Sequence, residues 1–143
     1  MIATRPSKDT YYLDIAKAVA KRSTCLRRQY GAVIVNYDEI IATGYNGAAR
    51  GIPDCLERGS CWREENSVPH GEQYEKCLAV HAEQNAIISA SRAEMMCGTL
   101  YLAGFENGKE IENPMPCVLC AKMIHNAGIE RFVNNTTCRK DKI

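Results

Sequence analysis

From Ser7 or Thr10 to about Lys21-Arg22, apolar residues return every three to four positions. Tyr12, Ile15, Ala16, Val19 and Ala20 line one side, with Asp14, Lys17 and Lys21 opposite, which predicts an amphipathic helix. The period then changes. Gly31-Ala32-Val33-Ile34-Val35-Asn36 is an almost unbroken apolar run and reads as a buried strand; Tyr37-Asp38 turns it into Glu39–Tyr45, giving a hairpin. A second helix opens at His81 and runs through Ala90. Thr99-Leu100-Tyr101-Leu102-Ala103 is a third strand, and Gly104 to Pro114 reads as a connecting loop. The last helix runs from Pro116 to Ala127, with Pro116 in its first turn and Gly128 ending it. Val118, Leu119, Ala121, Met123, Ile124 and Ala127 make it apolar nearly all round, as for a helix covering a sheet. Ile129–Val133 is a fourth strand, and the polar residues 134–143 read as a frayed or short terminal segment. Helices alternating with apolar strands predict an α/β sheet with helices on both faces.

Residues 46 to about 77 follow neither period. They carry Gly, Pro, Cys and charge, which predicts a long loop, and a loop of that length in a compact domain is functional or held down by something. The 143 residues are read as one domain spanning 1–143, with enough chain to bury a core. A net charge of +1 leaves no basic stripe, so extended nucleic-acid contact is disfavoured and a small-molecule substrate fits better. No apolar run approaches membrane-spanning length, and Met1–Pro6 has no signal-peptide core, so the expected location is cytoplasmic. Disulfides are rare in that reducing compartment, so metal binding explains the eight cysteines better.

His81-Ala82-Glu83 and, further on, Pro116-Cys117-Val118-Leu119-Cys120 carry the candidate chemistry. Alone, a His-x-Glu tripeptide is weak, because a lone histidine is more often a core or surface residue than a ligand. A Cys-x-x-Cys pair on its own divides among metal, redox and inert roles. Together they supply one imidazole and two thiolates, which suit a tetrahedral Zn²⁺ and leave a fourth position for water. Cys117 and Cys120 are i,i+3 neighbours on one helix face, at the positive end that favours thiolates. The ordinary role of a first-turn glutamate is to complement the helix dipole. Two residues from a zinc ligand, Glu83 is better placed as a proton shuttle beside a metal-bound water. The ordered set resembles the zinc deaminase signature, which implies that Glu83 carries the water proton to the ring nitrogen of an amino-bearing base and then helps ammonia leave.

Cys25, Cys55, Cys61 and Cys77 lie in or beside the irregular segments, with His70 among them. Four thiolates would close a second, structural Zn²⁺ that pins the 46–77 loop. The alternative is a scatter of small buried thiols. On spacing Cys25 is the weakest ligand, and His70 is the substitute if one cysteine is not used. Cys97 and Cys138 read as unpaired and inert.

The chain resembles the deoxycytidylate deaminase family of the cytidine deaminase superfamily over roughly Tyr12 to Val133. The resemblance rests on Ser23-Thr24-Cys25 with Arg27-Arg28, Gly31-Ala32-Val33-Ile34-Val35, Gly44-Tyr45-Asn46-Gly47, His81-Ala82-Glu83-Gln84-Asn85-Ala86-Ile87 and Pro116-Cys117-Val118-Leu119-Cys120-Ala121. It implies a three-layer α/β/α fold around a five-stranded mixed sheet. Zinc ligands His81, Cys117 and Cys120 are implied, with Glu83 as proton shuttle, Asn46 bonding the sugar and the Ala82 N–H holding the base carbonyl. It further implies a homo-oligomer (hexamer or dimer), dCTP and dTTP as effectors acting near Gly44–Gly47, and a structural zinc using the positions of Cys25 and Cys55. A monophosphate needs donors at the rim; Arg27 and Arg28 are the candidates, against the plainer reading of a solvated helix C-terminus. Two departures bear on substrate identity and regulation: the longer acidic stretch between Cys61 and Cys77, and Asn113-Pro114-Met115 before the cysteine pair. The expected reaction is dCMP to dUMP and ammonia. Its rivals are the same chemistry on cytidine, dCTP, guanine or transfer-RNA adenosine, or a non-catalytic module stapled by two zincs. That module needs a fourth protein ligand, and the spare His125 sits at i+5 from Cys120, pointing elsewhere.

Overall fold

The computed structural model describes residues 4–140; Met1–Ala3 of the leading segment and residues 141–143 of the polar terminus lie outside the described residues. Helix α1 (Lys8–Ala20) starts at Ser7, whose hydroxyl accepts from the Thr10 N–H at 3.2 Å. Strands β1 (Gln29–Asn36) and β2 (Glu39–Tyr45) form the expected antiparallel hairpin. Its two turn residues, Tyr37 and Asp38, both sit at positive φ, as a tight hairpin turn requires. After β3 (Gly47–Ala48) and β4 (Ala79–Val80), which pair with each other, come α4 (Ala82–Ile88), α5 (Arg92–Met95), β5 (Thr99–Glu106), β6 (Lys109–Glu110), α6 (Val118–Asn126), β7 (Arg131–Val133) and β8 (Cys138–Arg139). Between β3 and β4 lie α2 (Cys55–Arg58), α3 (Trp62–Glu65) and a 3-10 turn at Tyr74–Lys76.

The sheet runs β2-β1-β5-β7-β8, antiparallel except for the parallel β5/β7 pair, so it is mixed as expected. Alternation along the strands splits the core in two. Ala32 and Ile34 of β1, Leu100 and Leu102 of β5, and Phe132 of β7 face Ala82 and Ala86 of α4 and Ile124 of α6. Val33, Val35, Tyr101, Ala103 and Val133, each one residue out of step, face Tyr12 and Ala16 of α1. Helices therefore cover both sheet faces. Gly44 in β2 permits the close seating of α4: a Cβ there would overlap the Ala82 carbonyl oxygen and the Ala86 nitrogen, so only glycine lets α4 lie this close.

Several expectations need correction. The sheet has five strands along its path, with β6 joined to β5 as a sixth, rather than five in all. Gly104–Pro114 is not simply a loop: β5 continues to Glu106 and turns through Asn107-Gly108, both at positive φ, into β6. That dipeptide is itself a hairpin signal. Part of the polar terminus forms β8, because Asn134 accepts from the N–H groups of Thr136 and Thr137 and folds the chain back onto β7. The 46–77 loop contains short helices held by local caps, such as Asp54 accepting from the Glu57 N–H at 2.8 Å. Helix α6 begins at Val118 with Cys117 as its N-cap, so Pro116 precedes the helix. Its first turn does not cover the sheet: Val118 and Leu119 are 72% and 53% exposed and overhang a cavity instead. Among the described residues, no helix is long and apolar enough to cross a membrane.

Candidate active site

Helices α4 and α6 present their N-termini to the same point. His81 is the N-cap of α4, its N–H donating to Gln84 Oε1 at 2.9 Å. Cys117 is the N-cap of α6, its sulfur accepting from the Cys120 N–H at 3.4 Å. The cap geometry turns both side chains toward the gap between the helices. His81 Nδ1 lies 3.2 Å from Cys120 Sγ and 3.6 Å from Cys117 Sγ. Among the described residues, these three are the only His, Cys, Asp or Glu group whose ligand atoms all fall within 4.8 Å of one another. A tetrahedral Zn²⁺ with Zn–N near 2.0 Å and Zn–S near 2.3 Å would set nitrogen and sulfur about 3.5 Å apart, so the donor set fits that ion.

Charge is unevenly divided in the cluster. Cys117 is brought down to about 4, chiefly by the hydrogen bond from Cys120, whereas Cys120 is pushed up by that same bond and by burial. The thiolate next to His81 raises the imidazole, since an anion beside it favours the protonated ring. Glu83, two residues after His81, is 5% exposed, and burial lifts its carboxyl above the ordinary range. A proton can therefore be held on or near Glu83 beside the cluster.

A cavity of about 640 Å³ opens over these groups. Ala82 lines it as the first residue of α4, where a backbone N–H has no partner within the helix. Asn46 lines it too, buried, with Nδ2 donating to Arg28 O and Oδ1 accepting from Tyr30 N–H. Its amide thus ties the end of β2 to the start of β1 and retains one N–H and one lone pair. Arg27 and Arg28 also reach the cavity, already partly engaged: Arg27 donates to Val68 O at 2.8 Å, and Arg28 Nε sits 2.8 Å from a Glu106 carboxylate oxygen.

Cys25, Cys55, Cys61 and Cys77 line the far part of the same cavity. Burial pushes the Cys25 thiol up to about 12, with Cys55, Cys77 and Cys61 all close enough to add to the effect. Among the described residues they do not make a converged metal-ligand group as His81, Cys117 and Cys120 do. His70 turns to Arg28, its Nδ1 3.1 Å from Nη1, and so accepts a hydrogen bond from the guanidinium. Two residues escaped sequence reasoning. Arg63 is a charged side chain only 7% exposed, and Tyr74 packs against His81. Nothing in their aperiodic surroundings marks either one.

One imidazole and two thiols converging at paired helix N-termini, on an α/β/α scaffold, make a candidate metal centre. The chain matches the model for the cytidine and deoxycytidylate deaminase zinc-binding region over residues 6–136, and it belongs to that family. It is 38% identical over 135 residues to the deoxycytidylate deaminase of Mycobacterium phage D29, covering 91% of this chain and 95% of the phage protein. The deoxycytidylate deaminase of Schizosaccharomyces pombe is 35% identical over 137 residues, which are 96% of this chain and 39% of the yeast protein. The chain thus spans about two fifths of the yeast relative's length. Among solved structures, the apo dCMP deaminase of cyanophage S-TIM5 superposes with a TM-score of 0.61 at 24% identity, covering 93% of this chain and 87% of that one. Burkholderia pseudomallei cytidine deaminase gives 0.56 at 16% identity, covering 93% and 91%. Both share the fold.

Proposed function

We propose that this protein hydrolyses dCMP to dUMP and ammonia, with His81, Cys117 and Cys120 holding a catalytic Zn²⁺ and Glu83 shuttling the proton. The observation that carries the reading is the convergence of His81 Nδ1 and two cysteine sulfurs beside a buried glutamate. His81, Cys117 and Cys120 would hold the ion, which would supply Lewis acidity and lower the pKa of a water toward neutrality. Glu83 would take one proton from the attacking water and pass it to the ring nitrogen as the water oxygen bonds to the amine-bearing carbon; it would then move the remaining hydroxyl proton to the amino group, so that the C–N bond breaks and ammonia leaves. The Ala82 N–H, unpaired at the helix start, holds the base carbonyl, while the free N–H of Asn46 bonds the sugar. The donors that Arg27 and Arg28 do not spend on Val68, His70 and Glu106 meet the phosphate, since a guanidinium carries five N–H groups. The dCMP assignment is supported by the deoxycytidylate deaminases of phage D29 and S. pombe, and by the S-TIM5 enzyme, whose structure is also known with dCMP and dUMP.

The shared cavity wall of Cys25, Cys55, Cys61 and Cys77 supports a second, structural Zn²⁺ held by their sulfurs. Arg28 competes for His70, so the four thiols are the better ligand set. We read residues 1–143 as one such domain, acting in the cytoplasm as a homo-oligomer. Incubating the purified protein with a panel of cytosine, adenine and guanine nucleosides and nucleotides tests the substrate. Turnover of dCMP above the rest is expected; an untouched dCMP beside a deaminated rival overturns the assignment.

A further inference from the structure

We propose that Tyr74 is a positioning residue for the metal ligand His81, delivered and braced by the 46–77 segment. The inference rests on the zinc deaminase reading and gives that segment a task in it. Tyr74 and His81 meet as an edge-to-face pair, with ring centroids 4.9 Å apart and planes at 89°. That geometry is the favourable one for two aromatic rings, because the positive edge of one meets the negative face of the other. It also fixes the rotation of the imidazole about χ2, a torsion that is otherwise broad.

The need for such a contact follows from the ligand itself. Among the described residues, the imidazole's hydrogen-bond partners are both sulfurs, and both lie on the Nδ1 side. A metal-bound histidine is ordinarily oriented through its other nitrogen by a carboxylate or carbonyl. Here ring packing takes over that work.

Tyr74 is in turn held from behind. The Arg63 guanidinium lies 5.0 Å from the Tyr74 ring centroid, over its face. Arg63 is fixed by donating to Glu72 O at 2.6 Å and to Pro69 O at 2.7 Å, so the backbone just before Tyr74 grips the same side chain. This buried arginine balances its desolvation with two carbonyls and an aromatic face. Cys61 and Cys77 bracket the arrangement in sequence. Order in the cysteine loop is thereby passed to the catalytic ligand through two side chains, Arg63 and Tyr74.

The test compares the zinc-loaded full-length chain with Tyr74→Ala and Tyr74→Phe. Zinc affinity is read by competition with a chromophoric chelator, the catalytic site being the one missing in Cys120→Ser. Tyr74→Ala is expected to hold that zinc about tenfold more weakly and to lose kcat by about tenfold, the lower end of the cost of removing an outer-shell partner. KM should change little, and Tyr74→Phe, which keeps the ring, should restore both quantities. Unchanged affinity in Tyr74→Ala overturns the inference. So does a rise in KM alone, which would make Tyr74 a substrate contact, and so does a Tyr74→Phe variant as impaired as the alanine. If Tyr74→Ala does not fold, Tyr74→Leu is read by the same criteria. A wild-type chain with no zinc at that site overturns the function reading and this inference together, whereas zinc held equally by wild type and variant overturns this inference alone.

Discussion

The paired N-termini of α4 and α6 and the 46–77 segment wall the same cavity but are held by opposite means. The helices lie on a sheet whose apolar residues fill the space beneath them: Ala82, Ala86 and Ile124 are fully buried against Ile34, Leu100 and Phe132. The segment has few such contacts. It is held by single donors reaching single carbonyls, Arg27 to Val68 from outside it and Arg63 to Pro69 and Glu72 within it. Close packing fixes position through many weak contacts, so no single one decides the geometry. Polar tethers fix it through a few contacts, each costly to lose because a buried partner is left unsatisfied. One wall therefore suits residues that must not move relative to each other, and the other suits residues added to tune them.

The widest separation between the two walls should come from Glu83→Gln. The variant keeps the shape of the side chain and all three metal donors but cannot carry the proton. It should hold zinc like the wild type and lose about 10²–10⁴ in kcat, the usual worth of a positioned acid-base group. Metal analysis beside steady-state kinetics checks both halves, and retention of most activity would remove Glu83 from its role. On the other wall, Cys61→Ser should lower the metal content from about two zincs per chain to about one, since metal binding and local order are linked. Its kcat should fall by only about tenfold, because the loop acts on the site through Tyr74 and not on the reacting atoms. Equal losses in the two variants would erase the distinction between the walls.

The same contrast decides what the residues alone reveal. The buried strands are legible because their apolar runs are long and their turns carry recognisable chemistry. The cluster is legible because His81, Cys117 and Cys120 each sit at a helix start, where ligand spacing and capping impose fixed intervals. Arg63 and Tyr74 are not legible: an arginine and a tyrosine in an acidic, aperiodic stretch read as solvent-facing until the fold shows one buried and the other against His81. The two-residue strands β6 and β8 escape for a related reason, being too short to carry a period. Val118 and Leu119 mislead in the other direction. They look like core, but they overhang the cavity, because apolar residues at a binding surface and in a core have the same composition.

Gly44→Ala strikes the packed wall without touching a donor. The new Cβ would collide with backbone atoms of α4 at Ala82 and Ala86, and backbone cannot rotate out of the way as a side chain can. The expected cost is about 1–3 kcal/mol, in the range of overpacked sites, seen as a lowered Tm. Because α4 carries His81 and Glu83, kcat should fall in the same variant. A fall in Tm with kcat untouched would mean that α4 shifts as a rigid body and takes the site with it.

The smallest effect belongs on the sheet face turned away from the cavity, where Asp9 of α1 pairs with Arg131 of β7 and accepts from the Tyr101 hydroxyl at 2.6 Å. The pair is about a third exposed on its acidic side, so solvent screening limits its worth to within about 1 kcal/mol. The hydrogen bond from Arg131 holds the Asp9 carboxyl below its ordinary value of 3.8. A carboxyl depressed in the folded state adds stability that is present above that ordinary value and is lost as pH falls through the depressed one. Asp9→Asn should therefore lower stability slightly at pH 7, and the difference from wild type should vanish in acid below the depressed value. Denaturant unfolding at the two pH values reads this directly. Zinc content and kcat should not move, since the pair sits on the α1 face of the sheet with Val33, Tyr101 and Val133, and the site lies on the opposite face. A change in kcat here would mean that the sheet transmits strain from one helical layer to the other, and the rigidity attributed to the packed wall would have to be given up.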